Sequence, residues 1–384
     1  MSRAHAFDTA SRRGLIAAIA CISVFSANAT LSFPLLSLLL ERAGESGARI
    51  GVNTAMSSLG MLAFAQVSPA LMRRLGVAAF LMGCLAVSAA TLLLMKLWPD
   101  YLAWLVLRFL HGAAGAGLFL ATEFWIVAVS PTAVRGRVVA AYAVALSLGY
   151  ALGPSILAVV GVDGWPPFLI AVALCAAAAV PLGFAWRDAP LAEGSSGGRP
   201  WRFFLSDPAV IWGIVLFGVI EYGAMALTPV WGVRLGMAET AAVVLTVALA
   251  FGNLLFQPAV GWAADRHPER PLLLLCAGVC VFVAVLMPAV SHLYAALLPL
   301  FFLWGGMAAG LYTIGLTAIG GRYQGGELAA ANAAIVTGYA IGALAGPPVV
   351  GGAMDAFGPH GLALVVGLAS LIYGSLVIWR LRRS

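Results

Sequence analysis

Charge is what this sequence lacks first. Charged residues make up only 9% of its 384 positions, where an ordinary soluble domain carries roughly 25%. A water-solvated globule of this size is excluded, because it would need polar surface that the chain does not contain. Disorder, a collagen-like repeat and a coiled coil fall with it, for too little charge and too much apolar bulk. Lysine is nearly missing: Lys96 stands alone beside 20 arginines. The net charge of +6 is read as arginine distributed about a bilayer, and nucleic-acid binding is not expected. Cysteine is scarce as well. Cys21, Cys84, Cys175, Cys276 and Cys280 all lie inside apolar runs. They show neither metal spacing nor a disulfide frame and are read as small buried hydrophobes. Catalytic signatures are absent too: no P-loop, so ATP does not drive the protein directly, no H-E-x-x-H, no C-x-x-C and no nucleophile constellation. The chain is therefore read as no enzyme, with neither metal nor cofactor.

What is abundant is apolar: 62% of the residues are hydrophobic, which points to a polytopic membrane protein. A helix needs about 20 apolar residues to cross a hydrocarbon core of roughly 30 Å. Twelve runs qualify: 14–40, 51–71, 76–97, 101–127, 134–161, 166–186, 208–234, 239–263, 271–290, 293–320, 327–352 and 361–380. No alternating pattern suggests a β-barrel. The first run is too long for a signal-peptide core and is kept as a helix. With the N-terminus inside, sixteen arginines fall on the cytoplasmic side, and only Arg42, Arg49, Lys96 and Arg234 fall outside. The positive-inside rule thus predicts that both termini are cytoplasmic.

The longest hydrophilic stretch, 187–207, lies at the midpoint and contains Glu-Gly-Ser-Ser-Gly-Gly-Arg-Pro. Its composition marks a cytoplasmic linker. The expected organisation is a six-helix bundle over 1–186, the linker, and a second six-helix bundle over 208–384. The halves also repeat one another. Gly149-Tyr-Ala-Leu-Gly153-Pro154 recurs as Gly342-Ala-Leu-Ala-Gly346-Pro347, 193 residues later. Pro69-Ala-Leu-Met-Arg73-Arg74 lines up with Gly261-Trp-Ala-Ala-Asp265-Arg266 at an offset of 192. Duplication of this kind suits alternating access about a central site. Glycines four apart share a helix face and let backbones approach, while Pro154 and Pro347 permit bends.

Four features carry a family resemblance. Gly261-Trp-Ala-Ala-Asp265-Arg266 looks like a G-x-x-x-D-R loop, and Arg108-Phe-Leu-His-Gly112 like an R-x-x-x-G motif. Gly149–Pro154 looks like G-x-x-x-G-P, and the 6+6 layout is the fourth. Over essentially its whole length the sequence resembles the major facilitator superfamily. The resemblance implies an all-α membrane protein of twelve transmembrane helices in two homologous six-helix bundles. It associates the G-x-x-x-G-P motif with exporters and proton antiporters, and the motif arginine with proton coupling. The stretch after Glu123, Arg135-Gly-Arg-Val-Val-Ala-Ala-Tyr142, is similar to the YcaD-like branch. One departure stands out: the first-half loop has Pro69 and Arg73 where the family has Gly and Asp.

Ionisable groups inside spans are costly and therefore informative. Glu221, near the middle of span seven, is the first candidate for a proton carrier, because desolvation there disfavours the charged form. Arg108 in span four is read as its partner or modulator, with Glu123 in reserve. His111, Asn28, Tyr222, Asn253, Gln257 and Asn332 complete a candidate substrate cavity, as buried amides and rings need partners. Trp125, Trp231 and Trp304 are read as packing or interfacial residues. In the family the loop aspartate meets a helix N-terminus of the opposite half, so Asp265 is expected near Arg135 or Arg137. Arg73 is expected near Glu327, a charge exchange that keeps both contacts attractive. Together with Arg266 these form the expected cytoplasmic gate.

The sequence is thus read as a secondary active transporter of a bacterial inner membrane, a monomer that exports a small organic molecule in exchange for protons. A proton-coupled importer or uniporter of an organic anion, held by Arg108 and His111, is the alternative. A membrane sensor without turnover is the alternative of another class.

Overall fold

The computed structural model describes residues 9–130, 135–190 and 202–381. Among them are twelve helices long and apolar enough to cross a membrane, and no strand. In chain order the helices are α1 (Thr9–Arg42), α2 (Gly47–Leu75), α3 (Val77–Leu97), α4 (Tyr101–Val129), α5 (Arg135–Val160) and α6 (Pro166–Phe184). A short α7 (Phe203–Ser206) precedes α8 (Pro208–Arg234), α9 (Glu239–Ala264), α10 (Glu269–Ala289), α11 (Tyr294–Arg322), α12 (Gly325–Phe357) and α13 (Gly361–Leu381). Every expected run is a helix. Even α6, at 19 residues, reaches about 28 Å at the helical rise of about 1.5 Å per residue.

Several helices outrun their expected ends. Span two was expected from residue 51 and begins at Gly47; span eleven was expected to stop at 352 and runs to Phe357. Apolar length marks only the hydrocarbon-spanning part, whereas a helix continues wherever its terminal N–H and C=O groups find partners. Several breaks fall at glycines with positive φ. Gly76 (φ 81°) is the single residue between α2 and α3, and Gly358 (φ 74°) follows the end of α12.

The chain forms two compact units. One comprises residues 1–32 and 56–195, the other 33–55 and 196–384. The second unit therefore takes in the end of α1 and the start of α2 in addition to the C-terminal spans.

Within the first unit, α1 and α5 meet at two glycines: a Cβ on Gly149 would lie 2.5 Å from Ser23 O, and one on Gly153 2.5 Å from Ala27 O. α2 and α4 meet likewise, with Gly60 against Phe109 O (2.0 Å) and Gly112 against Ser57 O (1.9 Å). The second unit repeats this about 192 residues on. Gly342 and Gly346 of α12 face Val215 O (2.1 Å) and Val219 O (2.6 Å) of α8. Gly252 of α9 faces Phe302 O, and Gly305 of α11 faces Leu249 O, each at 1.9 Å. The internal repeat is thus a repeat of backbone contacts, not of letters alone. Trp125, Trp231 and Trp304 are fully buried, so all three pack in the interior and none serves an interfacial belt. The five cysteines are buried and free.

These seams leave no room for a methyl group. Gly305→Ala and Gly112→Ala are expected to destabilise by about 1–3 kcal/mol, the usual range for overpacking, in spite of alanine's better helix propensity. Gly278→Ala, where nothing lies within 4 Å of the added carbon, is expected to be neutral or mildly stabilising. Thermal unfolding of the detergent-purified variants checks the contrast.

Candidate functional site

Pro208 opens α8 at a position where its missing N–H is not needed. The helix then runs through an apolar sequence whose side chains are almost all buried. Glu221 lies midway along it and is only 8% exposed. Tyr339, from α12, donates its hydroxyl to Glu221 Oε2 at 2.5 Å. The α8–α12 seam places the two together: Gly342 and Gly346, which follow Tyr339 on α12, let that helix lie against α8 at backbone distance.

Rings surround this pair. Phe217, one turn before Glu221, packs on Tyr339 (5.7 Å between centroids) and on Tyr312 of α11 (5.7 Å). Tyr222 meets Tyr339 edge-on at 5.8 Å and Phe33 of α1 at 5.0 Å. Next to Tyr312, Thr313 donates to Gln257 Oε1, and Gln257 Nε2 donates to Asn253 Oδ1 at 3.3 Å. Glu221, Tyr222, Asn253 and Gln257 therefore belong to one unit, the two amides being joined to each other and half-buried. Asn332 is exposed on α12. The sequence reading missed Tyr339, Tyr312, Phe217 and Phe33. The signal available was a mid-span tyrosine at 339 one residue after Gly338 in a run of small residues.

Arg108, His111 and Asn28 lie in the first unit. Arg108 is 1% exposed and donates from Nη1 to Ser32 Oγ at 3.0 Å. His111 Nδ1 is hydrogen-bonded to Thr91 Oγ1 of α3 at 3.1 Å. Asn28 donates from Nδ2 to Ala171 O (3.2 Å) and Cys175 Sγ (3.0 Å) of α6. These are contacts between helices of one unit. Glu123 is exposed on α4.

Of the expected gate residues, Arg73, Asp265 and Arg137 are exposed, and Arg266 lies over the ring of Trp262 (4.6 Å). The side chain of Arg135 lies outside the described residues. Glu327, expected to face Arg73, has its carboxylate paired with Arg202 at 2.9 Å. Close by in sequence, Arg322 joins Asp207 (2.5 Å) and Glu269, and Tyr323 donates to Asp207. That hydrogen bond, helped by burial, holds the Tyr323 phenol above its ordinary pKa.

At the other end of the second unit lies a charged cluster that the sequence reading did not anticipate. Asp355 accepts hydrogen bonds from Gly47 N and Ala48 N, both 2.8 Å, and so caps α2 from α12. Arg234 contacts Asp355 at 3.1 Å and grips Glu41 with Nε and Nη2 at 2.8 and 2.9 Å. Arg42 grips Glu239 in the same way, at 2.5 and 2.6 Å. Two forks of this kind fix geometry as well as charge.

The family model described as Major Facilitator Superfamily matches residues 17–252 and 234–384. The chain belongs to that superfamily. It is similar to the uncharacterized MFS-type transporter YfkF of Bacillus subtilis (strain 168), with 25% identity over 98% of this chain and 96% of the relative. An uncharacterized MFS-type transporter of Yersinia enterocolitica is 26% identical over 76% of this chain and 75% of its own. Among solved structures, the nucleoside transporter NupG superposes with a TM-score of 0.76 at 11% identity, covering 97% of this chain and 98% of NupG. A bacterial homolog to the human lysosomal transporter Spinster, inward-facing and occupied, gives 0.72 at 13% identity over 96% of each chain. Those identities speak for the fold alone. The protein is a multi-pass membrane transporter of the superfamily.

Removing the Asp355 cap leaves two helix N–H groups and one arginine short of an acceptor. Asp355→Ala is expected to cost about 1 kcal/mol, given a carboxylate that is 30% exposed. Glu239→Gln, which breaks only a fork, is expected to cost a few tenths of a kcal/mol. Chemical or thermal unfolding in detergent should rank the two in that order.

Proposed function

We propose that the protein is a proton-coupled exporter of a small organic molecule, working by alternating access in a bacterial inner membrane with both termini cytoplasmic. Glu221 is the proton carrier in this reading. The observation that carries it is the buried Glu221 carboxylate in the middle of a membrane span, held by the Tyr339 hydroxyl of a second helix. A carboxylate so enclosed is costly to keep charged and has a partner suited to both of its states. Ionised, it accepts from Tyr339; protonated, it donates its own hydrogen. A proton exchanged at this atom changes the bonding between α8 and α12, whose glycine seam supplies the backbone proximity for the two helices to respond together.

Arg108 is a positioning residue in the same scheme. Its guanidinium holds α1 at Ser32, and the next residue of that helix, Phe33, rests on Tyr222.

A thermal-shift screen across drugs, sugars and organic acids identifies a substrate, and counterflow in proteoliposomes separates transport from mere sensing. With that substrate, Glu221→Gln is expected to abolish uphill transport driven by a pH gradient while sparing substrate exchange. Arg108→Lys, a point charge without the planar fork, is expected to keep folding and lose most of the flux. Undiminished gradient-driven transport in Glu221→Gln would remove Glu221 from the mechanism.

A further inference from the structure

The two ends of the second unit carry opposite balances of charge. At one end Arg234 and Arg42 meet three acids, Glu41, Glu239 and Asp355, and each of those carboxylates holds an arginine. At the other end the linker enters and α13 finishes. There, among the described residues, three arginines (Arg270, Arg322 and Arg380) line a cavity with only two acids, Asp207 and Glu269. Both acids are already engaged. Arg322 bridges them, and Tyr323 adds its hydroxyl to Asp207. A cation entering this cavity meets carboxylates that already hold partners, whereas an anion meets a surplus of positive charge.

Arg380 has capacity to spare. It comes from the last turn of α13 and reaches α7, where Nη2 donates to Leu205 O over a long 3.4 Å. Its Nε is enclosed and has no acceptor among the described residues. A buried donor on a charged group is expensive to leave unmet. The backbone adds to the field, because α8 and α10 both begin at the cavity, at Pro208 and Glu269. Neither N-cap side chain bonds its first turn, so both helix dipoles present their positive ends there.

Size and setting narrow the anion. The cavity has a volume of about 40 Å³, room for about three water molecules at about 10–15 Å³ each. A phosphate group fits that space; a sugar or nucleotide carried with it does not. The residues beside the cavity are apolar and exposed. Leu205 is 81% exposed, Trp212 46% and Trp379 45%, and Phe204 meets Trp212 edge-on at 6.1 Å. Exposed tryptophans at helix ends mark the level of the lipid headgroups. A soluble metabolite gains nothing from such a border, but an acyl chain does. We propose that this cavity binds the phosphate group of an anionic phospholipid, with Arg270 and Arg380 as its ligands and the acyl chains along Leu205, Trp212 and Trp379. A phosphate seated there gives Arg380 Nε its acceptor. It also joins α13 to α10 and, through Leu205, to the last turn of the linker.

The test uses delipidated full-length protein in a neutral detergent. It is titrated with phosphatidylglycerol, with phosphatidylcholine of the same acyl chains, and with inorganic phosphate, and followed by native mass spectrometry and thermal unfolding. Phosphatidylglycerol is expected to bind saturably, about tenfold more tightly than phosphatidylcholine, and to raise the unfolding midpoint. Arg380→Gln should weaken that binding about five- to tenfold, Arg270→Gln should do the same, and Arg380→Lys should restore part of it. Arg12→Gln removes the same charge from an exposed position on α1 and should leave binding unchanged. Unfolding midpoints without lipid show which variants are folded, and either glutamine variant alone suffices for the test. Equal binding of phosphatidylcholine, or an equal loss in Arg12→Gln, reduces the effect to general lipid or surface charge and overturns the site. Unchanged binding in the folded glutamine variants overturns the ligands. Protection by inorganic phosphate at the concentration of the lipid makes this a site for soluble anions and overturns the lipid.

Discussion

Helices in lipid gain little by hiding apolar surface from one another, since the acyl chains around them are as apolar as leucine. Backbone approach is what holds each unit of this protein together. Where Gly60 meets Phe109 O, or Gly252 meets Phe302 O, the carbonyl of one helix occupies the place a side chain would take on the other. Dispersion between closely fitted backbones supplies the attraction, and it acts only at contact distance. A seam also sets which side chains meet across it. Tyr339 reaches Glu221 because Gly342 and Gly346 bring α12 onto α8.

Charge, so scarce in the sequence, is used in two ways. At helix ends it pairs: Arg234 with Glu41 and Asp355, Arg42 with Glu239, Arg322 with Asp207 and Glu269. In mid-span it is kept to a few sites with specific partners, Glu221 with Tyr339 and Arg108 with Ser32. Pairs of the first kind settle where helices begin and end. Groups of the second kind tie one helix to another through single side-chain hydrogen bonds.

The spans were legible in the sequence because apolar length is a local property that needs no knowledge of neighbours. Glu221 was legible for the same reason, as a carboxylate set in an apolar run. Its partner was not. Tyr339 reads in isolation as one more aromatic on an apolar helix, and only the crossing of α8 and α12 makes it a hydrogen-bond donor to the acid. The partners of His111 and Asn28 were no more legible. A polar residue in a span faces either a cavity or a neighbouring helix, and the two differ by a rotation that hydropathy does not encode. Helix ends were misplaced where a distant residue sets them. α2 starts at Gly47 because Asp355, far along the chain, accepts its first N–H groups.

Gly47 and Gly351 show what such a seam means for descent. A carbon added at Gly47 would sit 2.6 Å from Gly351 O, and one added at Gly351 would sit 1.9 Å from Gly47 O. Each residue thus forbids enlargement of the other through its main chain, which no substitution can trim. A compensating change is unavailable, because the obstacle is an atom that every amino acid carries. The two positions cannot drift by trading volume, as core side chains commonly do. A lineage keeps both glycines or rebuilds the crossing of α2 and α12 from a different register.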